Sequence, residues 1–174
     1  MTKSYKELLP DITTLIFDID GVFTDGTIQV MPDGQLIRRL NAKDSYAVQY
    51  AVKKGYSIAI ITGGNSYAVR DSLQSLGITH IFMESSNKAS VYDKFLKSQG
   101  ITESEVLYMG DDIPDYEVMS RSGIAACPAD ASAEIKRISN YVSHRKGGDG
   151  CVRDIIEQTL KVQGKWFDKD AFDW

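Results

Sequence analysis

"LIFDIDGVFTDG", Leu15–Gly26, runs from a short apolar stretch straight into three carboxylates, Asp18, Asp20 and Asp25. Thr13-Thr14-Leu15-Ile16-Phe17 is apolar on both faces, the pattern of a central parallel strand covered on either side. Such a strand does not end in clustered acids unless something balances their charge. Working outward from it, β-like runs alternate with helical ones. Ser57 to Ile61, His80 to Phe82, Val106 to Met109 and Ile124 to Ala126 read as strands. Helices are predicted over Ser66 to Leu76, Lys88 to Gln99, Asp115 to Ser120, Ala131 to Ile138 and Cys151 to Val162.

A further helix, capped by Asn41 or Asp44, runs to Lys54 and stops at Gly55. Between it and the first strand, Thr27 to Val30 and Leu36 to Leu40 flank Met31-Pro32-Asp33-Gly34-Gln35, the signature of a β-hairpin. The expectation is a doubly wound α/β fold with a mainly parallel sheet, right-handed crossovers and one hairpin insertion. It spans 1–174 as one domain, with a flap at about 26–40 and a tail at about 164–174.

The composition agrees. In 174 residues, 43% are hydrophobic and 25% charged, which argues against a disordered or fibrous chain. A net charge of -4 without a long basic run leaves nucleic acid no electrostatic footprint. A small anion is still admissible if the pocket itself carries positive charge or a metal. No apolar stretch approaches the roughly 20 residues of a membrane span. MTKSYKELLPDI lacks a signal-type hydrophobic region, so a cytoplasmic protein is expected. Cys127 and Cys151 have no metal-ligand spacing and read as reduced packing residues; His80 and His144 read as turn or core histidines.

In open α/β sheets, sites form outside the carboxyl ends of the strands. The first strand is followed by Asp18 and Asp20, the second by Thr62-Gly63-Gly64. Lys88 opens the helix after the third, and Gly110-Asp111-Asp112-Ile113-Pro114-Asp115 follows the fourth. Clustered carboxylates call for a hard divalent cation, which leaves room for phosphate oxygens. Thr62 and the amides near Gly63 can donate to a phosphoryl group, and Lys88 adds a point charge. Two carboxylates at i and i+2 leave a strand toward the same side, so one can attack while the other handles protons.

The four segments DIDGV, ITGG, NK and GDDIPD, in this order and each placed after a predicted strand, resemble the haloacid dehalogenase superfamily of aspartate-nucleophile phosphatases. The resemblance implies a Rossmann-like fold, Asp18 as nucleophile and magnesium ligand, and Asp20 as acid/base with its carbonyl on the metal. It also implies Thr62 and Lys88 on the phosphoryl group and Asp111 as a further magnesium ligand. Asp112 and Asp115 would support the metal's water shell or cap the next helix, and Asp25 is a turn residue or a support.

Asp18 and Thr62 stand 44 positions apart, and Thr62 and Lys88 stand 26 apart, too few for a cap domain. A protruding hairpin carrying Ile28, Val30, Leu36 and Ile37 is an edge suited to pairing with another chain. Compact capless members with such a hairpin include the 3-deoxy-D-manno-octulosonate (KDO) 8-phosphate phosphatases of lipopolysaccharide precursor synthesis. These are tetramers in which neighbouring subunits cover each site. The likeness extends to Leu40-Asn41-Ala42-Lys43-Asp44, to Arg70 and to the glycine-rich stretch from Arg145 to Asp154. It implies substrate contacts from Asp20, Asn41, Lys43, Asp44, Gly63, Gly64, Arg70 and Lys88, with Arg145 a candidate from the tail motif. Lys43, Arg70 and Arg145 suit a sugar-acid carboxylate.

Gly64 departs from the pattern: the octulosonate enzymes often have Arg there, and nine-carbon keto-acid phosphatases Glu. A nonulosonic acid 9-phosphate is therefore the alternative substrate. A receiver-like phosphoaspartate signalling domain is a distant rival, since it places its acidic pair on the first strand and its phosphoacceptor on a later one. The aromatic, acidic stretch Trp166 to Trp174 either docks on a neighbour or forms a mobile end.

Overall fold

In the computed structural model, which describes residues 4–173, the chain opens with α1 (Tyr5–Leu8) and β1 (Thr14–Phe17), followed by the hairpin strands β2 (Gln29–Val30) and β3 (Leu36–Ile37). Then come α2 (Ala42–Lys53), β4 (Ser57–Ile61), α3 (Tyr67–Ser75), β5 (His80–Phe82) and α4 (Lys88–Gln99). The second half holds β6 (Val106–Met109), α5 (Tyr116–Arg121), β7 (Ile124–Cys127), α6 (Ala133–Ile138), β8 (Tyr141–Val142) and α7 (Cys151–Val162).

The main sheet has the order β5-β4-β1-β6-β7-β8, and every pair in it is parallel. Strand order reverses beside β1, so β1 lies between β4 and β6 and their carboxyl ends bound one crevice. Alternation along the strands divides the core in two. Leu15, Phe17, Ile58, Ile60, Leu107 and Met109 face α2, α3 and α7, while Ile16, Ala59, Ile61, Val106 and Tyr108 face α4, α5 and α6. Both faces are dry, which is why β1 reads as a continuous apolar run. Truncating Ile16 to alanine in such a core costs about 2–5 kcal/mol.

The helices start and stop for local reasons. Asn41, not Asp44, caps α2: its side chain accepts the Lys43 N–H at 2.9 Å. Asn87 caps α4 by accepting from Ser90, and left-handed Gly100 ends it. α7 buries Val152, Ile155, Ile156, Thr159 and Leu160 along one face, mostly against α2.

The hairpin is shorter than expected, with two rungs, Gln29 opposite Ile37 and Val30 opposite Leu36. Among the described residues it forms a separate two-stranded sheet, and with Ile28, Val30, Leu36 and Ile37 all exposed, little holds the ladder out to Leu40. β8 and α1 escape sequence periodicity because two and four residues carry no pattern. The stretch after α7 lies on its own chain. Trp166 packs edge-on against Tyr50 with ring centroids 5.4 Å apart, and Lys54 binds Asp168 and Asp170. Trp174 and residues 1–3 are outside the described residues.

Candidate active site

Asp18 continues β1 out of the sheet, its N–H bonded to the Met109 carbonyl at 3.1 Å. Its side chain is almost buried, and Oδ2 meets Lys88 Nζ at 3.0 Å. Lys88 is the first residue of α4, which points its ammonium back under the strand ends. There it also donates to Asp115 Oδ1 at 2.8 Å. Asp115 is 1% exposed, takes a second hydrogen bond from the Tyr108 hydroxyl at 2.9 Å, and accepts the Asp111 N–H at 3.4 Å.

The loop after β1 turns at Gly21, whose φ is +84°. A Cβ there would lie 1.9 Å from Asp111 Oδ2, so only glycine lets this loop back onto Asp111. Gly110 is similarly confined, since a Cβ would sit 2.4 Å from Asp115 Cγ. Thr62 directly follows β4, is 2% exposed, and accepts the Gly64 N–H on Oγ1 at 3.1 Å, which leaves its hydroxyl proton free to donate. Asp18, Asp20, Thr62, Gly63, Gly64, Lys88, Asp111, Asp112 and Asp115 all line one cleft of about 490 Å3, together with Gly26, Ser85, Ser86 and Pro114.

The electrostatics follow from burial. Burial, and then the nearby Asp115, push Asp18 up to about 6 against the pull of Lys88. Burial, and then Asp18, push Asp111 up to about 7. Burial works against the charge on Lys88, yet Asp115 and Asp18 outweigh it and hold the ammonium above its ordinary range. Three carboxylates with one cation are therefore short of positive charge.

Carboxylate oxygens of Asp18, Asp111 and Asp115 lie within 4.8 Å of one another. Among the described residues Asp18 Oδ1 is buried without a hydrogen-bond partner, an orphaned hard oxygen of the kind a divalent cation satisfies. The donor set fits magnesium. Within the cluster Asp115 is the least free, because Lys88, Tyr108 and the Asp111 amide already occupy it.

Other sequence candidates lie elsewhere. Lys43 and Arg145 line a second hollow of about 500 Å3 with Asn41, His144 and Arg153. Asn41 is committed to its cap and to the Gly148 carbonyl. Asp44, expected to touch substrate, is instead fully buried. It accepts the Arg153 N–H at 2.7 Å, joining α2 to the start of α7. Arg70 pairs with Asp71 and stacks on Tyr67, away from the cleft. Asp112 is exposed and makes no side-chain cap, while Asp25 is a turn residue accepting from Thr27.

One residue near the centre was not anticipated. Arg38, just past β3, donates from Nε to Asp20 Oδ1 at 2.7 Å and from Nη2 to Oδ2 at 3.1 Å. The contact spans 18 positions of sequence through an irregular hairpin, where residue periodicity gives no signal for it.

A family model described as haloacid dehalogenase-like hydrolase matches residues 77–155. The chain is 36% identical over 155 residues to the 3-deoxy-D-manno-octulosonate 8-phosphate phosphatase KdsC of Salmonella typhi, covering 89% of this chain and 82% of that one. The crystal structure of the enzyme of that name from Yersinia pestis superposes with a TM-score of 0.91 at 32% identity, over 95% of this chain and 89% of that one. The Moraxella catarrhalis phosphatase, solved with magnesium, phosphate and KDO, gives 0.91 at 29% identity, over 96% and 94%.

Proposed function

The chain belongs to the haloacid dehalogenase-like hydrolases, within the group of 3-deoxy-D-manno-octulosonate 8-phosphate phosphatases, and from that premise we infer how its cleft works on a sugar phosphate. It is a magnesium-dependent phosphomonoesterase whose substrate is the 8-phosphate of this eight-carbon sugar acid. The observation that carries the reading is Asp18: a nearly buried carboxylate lining the cleft of about 490 Å3, with one oxygen on Lys88 and the other without a hydrogen-bond partner among the described residues.

Asp18 and Asp111, with the main-chain carbonyl of Asp20, would hold the magnesium ion. When bound, the ion offsets the carboxylates' charge and polarises the phosphoryl oxygens. Asp18 attacks phosphorus, forming its O–P bond as the ester P–O bond breaks, and Asp20 gives its proton to the departing sugar alkoxide. Asp20 then takes a proton from water, whose oxygen bonds to phosphorus as the Asp18 bond breaks and phosphate leaves. The Thr62 hydroxyl, the Gly63 and Gly64 amides and Lys88 hold the phosphoryl oxygens through both steps. Asp115 keeps Lys88 aimed, and Asp112 sits at the rim.

Lys43, Arg70 and Arg145 do not line the cleft of their own chain, and in this reading they meet the sugar acid of a neighbouring subunit. The exposed apolar hairpin supports a homotetramer in which each subunit helps to cover another's site. A cytoplasmic setting fits the two buried, unpaired cysteines. Phosphate release measured in parallel on KDO 8-phosphate, a nonulosonate 9-phosphate and glucose 6-phosphate tests the assignment. KDO 8-phosphate should give the highest kcat/KM; equal values on all three would overturn it.

A further inference from the structure

Arg38 is 4% exposed at its side chain and grips Asp20 with two donors, a fork-on-carboxylate arrangement. Its Nη1 is buried without a hydrogen-bond partner among the described residues. An orphaned buried donor costs about 1–3 kcal/mol, which offsets much of what a hydrogen bond to a charged group returns. Stability alone is thus a poor reason to bury a guanidinium here.

The grip is asymmetric. Asp20 Oδ1 takes the shorter bond from Nε and a 3.5 Å hydrogen bond from Thr24 Oγ1, which in turn accepts the Gly21 and Gly26 amides. Among the described residues Oδ2 takes the longer bond alone. A Cβ built on Gly64 would lie 3.5 Å from Oδ2 and 3.4 Å from Thr62 Oγ1, so Oδ2 is on the side of the phosphoryl-binding loop. The same Cβ would come 3.7 Å from Arg38 Nη2. A longer side chain at position 64 would compete with the guanidinium, and glycine leaves it room.

We propose that Arg38 is the positioning residue for Asp20, anchoring the carboxylate through Oδ1 so that Oδ2 carries the proton to the leaving alkoxide and later takes one from water. The inference rests on Asp20 as the acid/base of the phosphatase. The guanidinium stays charged throughout and neither gives nor takes a proton. The acid/base is thereby tied to the hairpin, so the element that reaches toward a neighbouring chain also sets the geometry of proton transfer.

The test is stopped-flow hydrolysis of p-nitrophenyl phosphate by the magnesium-loaded full chain and its Arg38→Met and Arg38→Lys variants. Nitrophenolate departs without a proton, whereas breakdown of the phosphoaspartate needs Asp20 to take one from water. Arg38→Met should show a burst of one nitrophenolate per active site, then a steady rate lowered about 10- to 100-fold, a share of the ordinary acid–base contribution. Arg38→Lys should recover part of that rate with a smaller burst, and it carries the test if the Met variant does not fold. Burst and steady phases slowed equally, or unaltered kinetics, would overturn the role of Arg38 alone. A wild type inert toward both this ester and KDO 8-phosphate would overturn the phosphatase reading and, with it, this one.

Discussion

Asp18 and Asp20 leave one strand two residues apart, yet the cations that hold them come from different parts of the molecule. Lys88 belongs to the frame: it opens a capped helix, is buried, and is braced by Asp115, which the Tyr108 hydroxyl holds in turn. Arg38 belongs to a two-rung hairpin whose apolar side chains are exposed. The Asp18 side of the site is built by the sheet and the helix after it, while the cation on Asp20 comes from a short, exposed hairpin. The proposed nucleophile is therefore held by the fold, whereas the proposed acid/base is held through the hairpin.

The largest break in that comparison is Lys88→Met. It leaves Asp18 and Asp115 buried without their cation, a loss of about 3–5 kcal/mol by the usual cost of breaking a buried pair, read by urea titration. Turnover should fall about 1000-fold with it. The stability loss should be smaller at pH 5 than at pH 8, because Asp18, already pushed up to about 6 by burial, then binds a proton. Equal losses at both pH values would show that the floor is not ionic.

Asp44 probes the frame away from the chemistry. Burial pushes it up to about 6 from 3.8, so the folded state binds its proton more tightly than the unfolded chain. Its stabilising contribution is complete below pH 3.8 and is lost as pH rises to about 6. Asp44→Asn should remove that slope and stay within about 1 kcal/mol of wild type at pH 7, with the Arg153 amide still accepted. A slope that survives would place its origin elsewhere.

The smallest effect is expected at the docked tail. Lys54 and the Tyr50 hydroxyl hold Asp168 down to about 2, so its contribution is present at neutral pH and fades as pH falls through the acid range. Asp168→Ala should lower the melting temperature slightly at pH 7 and not at pH 2; an equal shift at both would show that the ion pairs contribute nothing.

The same division governs what could be read in advance. Asp18, Thr62, Lys88 and Asp111 follow strands or start a helix, and parallel topology alone brings such positions together. The doubly wound sheet was legible for the same reason, since β1, β4 and β6 are apolar on both faces. Arg38 was not legible, because its partner depends on the path of an irregular hairpin. Asp44 could be read as a ligand or as a cap; only the packing of α7 on α2 turns it inward. The tail offered two alternatives until its aromatic and acidic residues met Tyr50 and Lys54.

The central claim is that Asp18 carries the phosphoryl group. Rapid acid quench of the magnesium-loaded protein during turnover of KDO 8-phosphate, followed by borohydride reduction and peptide mapping, tests it directly. Asp18 should be recovered reduced to homoserine, and Asp18→Asn should yield neither the modified peptide nor phosphate. Full turnover with no modified residue, or with the group on Asp111, would contradict the account.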